Sequence, residues 1–207
     1  MMRSLLLMAG LLLTVSAFAQ TPSVQERLNA IAADPVALRQ AVDAGKQATF
    51  FCANCHGEDG VSKIPEVPNL AAQNPAYLLE QIRKFGAGER KNPFMQGLIK
   101  VLKDEERLQA AHYYASMPVS PAKANPALVA RGKELFTKLC ARCHGERAHG
   151  GELYPRLAGQ QLPYLQVSIQ RYRDGTGVRN DKLMTIATSM LKNDDITAIA
   201  NYLTQLP

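Results

Sequence analysis

The sequence repeats one five-residue phrase, Cys52-Ala53-Asn54-Cys55-His56 and Cys140-Ala141-Arg142-Cys143-His144, and the two copies use all four of its cysteines. Residues i, i+3 and i+4 share one face of a helical turn, so in each copy both thiols and the imidazole can reach a single object. A metalloporphyrin meets that demand, with two vinyl carbons for thioether bonds and an iron for the imidazole. The spacing predicts two covalent haem c groups, one on Cys52 and Cys55, the other on Cys140 and Cys143, with His56 and His144 as iron ligands. Any fold for this chain has to be built around two such discs.

Disulfides, redox-active dithiols or a four-thiolate zinc site compete for the same cysteines. None of them explains why histidine follows the second cysteine both times. Zinc-type Cys-x-x-Cys pairs lie roughly 15 to 20 residues apart, whereas 84 residues separate Cys55 from Cys140.

Residues 1–19 carry one early cation, Arg3, an apolar run from Leu5 to Val15, and Ala17-Phe18-Ala19. This is the layout of a cleaved export signal, and the run is shorter than the roughly 20 apolar residues of a membrane span. The expectation is cleavage near Ala19 and an exported mature chain.

The duplication extends beyond the cysteines. Pro68-Asn69-Leu70-Ala71-Ala72-Gln73, Tyr77-Leu78 and Ile82 recur as Pro155-Arg156-Leu157-Ala158-Gly159-Gln160, Tyr164-Leu165 and Ile169, at a constant offset of 87; Ala111, Tyr113 and Pro118 recur as Ala200, Tyr202 and Pro207 at 89. Between the copies, three prolines at 118, 121 and 126 disfavour helix and sheet alike. The expected organisation is a signal peptide 1–19, a helical extension 20–42 divided by Pro35, a first domain 43–117, a linker 118–126 and a second domain 127–207. Helical spacing of Leu128, Val129, Leu135, Phe136 and Leu139, and of Ile196, Ile199, Ala200 and Leu203 behind the expected caps Asn193 and Asp194, predicts an all-α fold. Each domain is under about 100 residues and would hold only a marginal core without its disc.

The remaining axial position of each iron calls for a thioether or a second imidazole. Met95 follows His56 by 39 residues and Met184 follows His144 by 40, and the two match across the repeat. Met117 and Met190 match Leu206 and Val101, which cannot ligate iron, and read as apolar filler. His112 aligns with Asn201, and His149 has no histidine counterpart. Met95 and Met184 are therefore the expected sixth ligands, giving six-coordinate irons with no substrate position.

With both haem motifs, Glu58-Asp59-Gly60, the two Pro-x-Leu-Ala-x-Gln-x-x-x-Tyr-Leu blocks, Lys91-Asn92 before Met95, and Ile186-Ala187 after Met184, the chain resembles the dihaem cytochrome c4 family from about residue 43 to Pro207. The resemblance implies two tandem class I cytochrome c domains about a pseudo-twofold axis, haem propionates facing across the interface, and a location in the bacterial periplasm. It also implies an electron carrier, not an enzyme, that takes electrons from a respiratory complex and delivers them to a terminal oxidase. Similar dihaem chains serve as cytochrome subunits of periplasmic dehydrogenases; a dihaem peroxidase is the enzyme-class alternative.

Charge is distributed unevenly. Residues 20–121 hold eleven basic and eleven acidic side chains, residues 122–207 twelve and seven. Lys138, Arg142 and Arg147, beside the second haem motif, either dock an acidic partner or pair with propionates. The scattered cations do not make a nucleic-acid surface, and any membrane association is expected to be peripheral.

Overall fold

The computed structural model describes residues 22–207, so the expected export signal lies outside the described residues. Among these residues all regular structure is helical. Helix α1, Val24–Ala33, starts at a capping box in which Ser23 and Glu26 exchange hydrogen bonds. Asp34 caps α2, Pro35–Ala48, and Pro35 supplies its preset first turn. The boundary expected between 42 and 43 falls inside α2; the physical break is at Asp34-Pro35. The first half continues with α3 Phe50–His56, α4 Pro75–Gly86, α5 Pro93–Lys100 and α6 Asp104–Ala115. The second follows with α7 Pro126–Leu139, α8 Ala141–His144, α9 Leu162–Arg173, α10 Lys182–Thr188 and α11 Asn193–Thr204. Helix α11 begins one residue earlier than its expected caps imply. Lys192 is the N-cap, and the Asp195 carboxylate accepts from its backbone N–H at 3.0 Å.

Five helices of each half correspond, and α1 is the addition. In each half the first and last helices cross at a glycine. A Cβ on Gly45 would lie 2.5 Å from the Gln109 carbonyl oxygen and 2.5 Å from Tyr113 Cβ; one on Gly132 would lie 2.1 Å from the Ala198 oxygen and 2.8 Å from Tyr202 Cβ. These crossings bring α2 onto α6 and α7 onto α11 as closely as backbones pack. Phe136, Leu165, Ile196, Ile199 and Leu203 fill the second core; Leu78, Leu79, Leu108 and Tyr114 fill the first. Leu28 of α1 joins the first core at 2 % exposure, so the extension is a brace that completes this half.

The halves meet through reciprocal amide hydrogen bonds. Gln160 accepts from the Asn69 N–H at 2.7 Å and donates to the Asn69 carbonyl at 3.0 Å. Its repeat partner Gln73 does the same to Arg156, at 2.7 and 2.9 Å. Asn74 donates to the His149 and Tyr154 carbonyls, and Gln161 to the carbonyl of Ser62, the counterpart of His149. The Gln160 and Gln73 bridges, and the Asn74–His149 and Gln161–Ser62 bonds, thus appear twice with the halves exchanged, as in an isologous interface. The linker lies along the second half, with the Ala122 N–H donating to Thr204 and the Asn125 N–H to the Asn201 side chain.

Candidate functional site

In each half the repeated phrase ends a short helix. Helix α3 carries Cys52, Cys55 and His56; Cys140 is the hinge between α7 and α8, and α8 carries Cys143 and His144. Gly57 at φ 84° and Gly145 at φ 76° stop the two helices in a conformation that side chains with a Cβ resist. The chain then returns so that a proline carbonyl meets each imidazole. His56 Nδ1 lies 2.9 Å from the Pro68 oxygen, and His144 Nδ1 lies 3.2 Å from the Pro155 oxygen. A carbonyl only accepts, so Nδ1 carries the proton and Nε2 keeps its lone pair, the tautomer that binds a metal. The rings are 7 % and 4 % exposed, and burial lowers both pKa values, which holds them neutral.

All four cysteines are free. Burial raises the Cys52 thiol and pushes Cys140 up to about 11, so neither is a ready thiolate. Among the described residues no group of three or more His, Cys, Asp or Glu side chains is placed to hold a metal ion, so the four thiols are not gathered into one zinc site.

Met95 and Met184 occupy matching places in the first turns of α5 and α10. The side chain of Asn92 accepts from the Met95 N–H at 3.0 Å, and that of Asp181 accepts from the Met184 N–H at 3.0 Å. Both side chains are half-buried. Met117 packs against the first core with its sulfur near Gly60, and Met190 is 89 % exposed. His112 is buried in α6, while His149 Nε2 meets the Pro207 carbonyl at 3.0 Å.

The structure adds residues that the sequence reading passed over. Arg90 and Arg179, repeat partners five positions before Met95 and Met184, converge with Tyr77, Tyr164 and Tyr172 between the halves. Arg90 donates to the Gln81 side chain at 3.0 Å and across the interface to the Tyr164 hydroxyl at 3.2 Å; Arg179 donates to the same hydroxyl at 2.6 Å. Arg90 also lies over the Phe85 ring at 4.4 Å. No carboxylate of the described residues pairs with either guanidinium. Burial lowers the Arg90 pKa; at Tyr164 burial raises the phenol, but Arg179 and Arg90 together outweigh it and lower it. Two half-buried cations that pair with no carboxylate among the described residues suit anions from outside the chain. The acidic side groups of a haem suit them, the oriented imidazoles suit its iron, and the free thiols suit its vinyl groups. The signal for Arg90 and Arg179 was present in the repeat at the same offset as the methionines.

The cytochrome c family model matches residues 129–207. Cytochrome c4 of Pseudomonas aeruginosa is 34 % identical over 172 residues, 77 % of this chain and 86 % of that protein. The thiosulfate dehydrogenase electron acceptor of Stutzerimonas stutzeri is 33 % identical over 170 residues, 75 % of this chain and 78 % of that one. The crystal structure of reduced recombinant cytochrome c4 from Pseudomonas stutzeri superimposes with a TM-score of 0.74 at 31 % identity, covering 80 % of this chain and 98 % of that one. With the doubled motif, the all-helical repeat and these relatives together, the chain belongs to the cytochrome c4 family of electron-transfer proteins that carry two covalent haem c groups.

Proposed function

We propose that this chain is an exported, periplasmic shuttle that moves single electrons between redox proteins, with both irons six-coordinate and closed to substrates. The observation that carries this reading is the pair of imidazoles held by the Pro68 and Pro155 carbonyls, one in each half. Cys52 and Cys55 would hold one haem, with His56 and Met95 binding its iron; Cys140 and Cys143 would hold the other, with His144 and Met184 binding its iron. When bound, each haem supplies a one-electron iron couple.

The protein residues orient and insulate that couple. The two carbonyls fix the imidazole tautomer and plane. Capping by Asn92 and Asp181 sets the backbone from which the Met95 and Met184 thioethers would bind iron. Arg90 and Arg179 would pair with the acidic side groups of the haems, and the Gln73 and Gln160 bridges keep the two halves in one register. The first domain in this reading begins at Pro35, with α1 as its brace.

The donor is a respiratory complex or a dehydrogenase, and the acceptor a terminal oxidase. A second reading, a dedicated acceptor for a periplasmic dehydrogenase, is favoured by the likeness to a thiosulfate dehydrogenase electron acceptor. Expression with haem maturation, haem quantitation and visible spectra test the main proposal. Two haems per chain, a far-red methionine-to-ferric-iron band that is halved in each of Met95→Ala and Met184→Ala and lost in the double variant, and no spectral shift of the unmutated protein with carbon monoxide are expected. A haem that binds carbon monoxide in the unmutated protein would refute closed coordination. Co-purification with a flavin or molybdenum enzyme would promote the second reading.

A further inference from the structure

The two haem-attachment edges are matching segments with opposite surface chemistry. Aligned on the paired cysteines, with the second half holding one extra residue between its crossing glycine Gly132 and Cys140, residues 133–147 correspond to 45–59. The later segment holds four cations, Lys133, Lys138, Arg142 and Arg147, against Glu134 and Glu146; the earlier holds only Lys46 against Glu58 and Asp59. Position by position, Lys138, Arg142 and Arg147 replace Phe50, Asn54 and Asp59. All six side chains are exposed. None of the three cations forms an ion pair among the described residues, whereas Arg131, Arg171 and Arg173 of the same half each do. The first edge instead presents Phe50 and Phe51, 70 % and 71 % exposed and stacked edge to face at 5.4 Å.

Cations that served only solubility would have no reason to gather at one of two otherwise equivalent edges. Here they lie on the last turn of α7, on α8 and on the turn after it, the stretch that carries Cys140, Cys143 and His144. Exposed, unpaired charge is the kind that steers an encounter, because its field extends about a Debye length into solvent. An internal ion pair would cancel that field.

We infer that Lys138, Arg142 and Arg147 form the docking surface for an acidic redox protein, so that electrons are exchanged with that partner through the second haem. One electron crosses per encounter: one iron of this chain is oxidised from ferrous to ferric as the partner's metal is reduced by one. The first edge, aromatic and slightly acidic, disfavours the same partner through like charge and leaves that haem to a partner of different surface. The inference rests on the two-haem reading above.

The test follows oxidation of the fully reduced, haem-loaded protein by an acidic blue-copper protein, plant plastocyanin, in a stopped-flow instrument across ionic strength. The unmutated protein is expected to react fastest at low salt and to slow as salt rises. The triple variant Lys138→Gln, Arg142→Gln, Arg147→Gln is expected to lose about tenfold or more in rate at low salt, along with most of the salt dependence. Lys138→Arg, Arg142→Lys, Arg147→Lys keeps the charge and is expected to keep rate and slope. Phe50→Lys, Asn54→Arg, Asp59→Arg, which transplants the patch, is expected to accelerate oxidation through the first haem. A triple Gln variant with unchanged rate and slope would overturn the inference, as would equal loss in the charge-keeping variant. Haem quantitation on the same samples separates the failures: a chain with fewer than two haems sinks the two-haem reading and this inference with it, whereas two haems with an unchanged slope sink the inference alone.

Discussion

Truncating Gln160 to alanine should loosen the two halves by an amount that the interface itself sets. Its side-chain amide serves three backbone groups: it accepts from the N–H of Asn69 at 2.7 Å and of Gln161 at 2.9 Å, and donates to the Asn69 carbonyl at 3.0 Å. Gln160 and Asn69 are both buried. A buried polar group left without a partner costs about 1–3 kcal/mol. The cavity beside Gln160 holds only about 10 Å³, room for a single water, and truncation would enlarge it enough for water to recover part of the loss. The net cost is roughly 2–4 kcal/mol. Gln73→Ala exposes the mirror set, the N–H groups of Arg156 and Asn74 and the Arg156 carbonyl, and should cost the same within about 1 kcal/mol. Guanidinium denaturation of the haem-loaded protein, followed by Soret absorption and circular dichroism, measures both. The double variant should separate one transition into two as the halves unfold independently. Single variants that each lose less than about 0.5 kcal/mol would refute the reasoning, because the bridges would then be replaced by water at no cost.

Gly132→Ala should destabilise the second half by about 3 kcal/mol or more, since the added Cβ meets helix backbone that cannot step aside, and Gly45→Ala should do likewise in the first; thermal melts check both. His112 is held below its ordinary pKa by burial, so the unfolded chain takes up a proton first as the solution becomes acidic. The stability it contributes is therefore present above about pH 6.5 and is lost as pH falls through the native pKa. His112→Asn, which installs the residue found at the matching position 201, should flatten the melting temperature between about pH 7 and pH 5.5; an unchanged slope would place the acid sensitivity elsewhere. Arg179→Leu removes a cation from the interface, which favours the ferric over the ferrous state, so one haem midpoint should fall by an amount on the order of tens of millivolts. Spectroelectrochemical titration reads that shift, and a rise would contradict the proposed pairing of Arg179 with haem carboxylates.

What the sequence settled by itself was local or repeated. Both thiols and the imidazole of each motif lie within five residues, so one helical turn dictates what they can attach. The duplication is a property of the order of residues and pairs Met95 with Met184, while the spacing of apolar side chains such as Ile196, Ile199 and Leu203 carries the all-helical reading. The structure starts helices at Pro35, Pro75, Pro93 and Pro126, where proline's fixed φ and missing N–H suit a first turn; Pro126, which the sequence placed in the linker, opens α7. The expected domain start at 43 falls within α2 because no motif marks that helix, and only its crossing with α6 at Gly45 shows that it does in the first half what α7 does in the second. Tertiary structure alone decided the rest. The Pro68 and Pro155 carbonyls reach their imidazoles from twelve and eleven residues away; Gln160 finds Asn69 across 91 residues, and Arg90 finds Tyr164 across 74. Arginines, tyrosines and glutamines look alike in a sequence whether solvated or buried. Their roles arise only when folding brings distant groups within hydrogen-bonding distance and removes the water that would otherwise satisfy them.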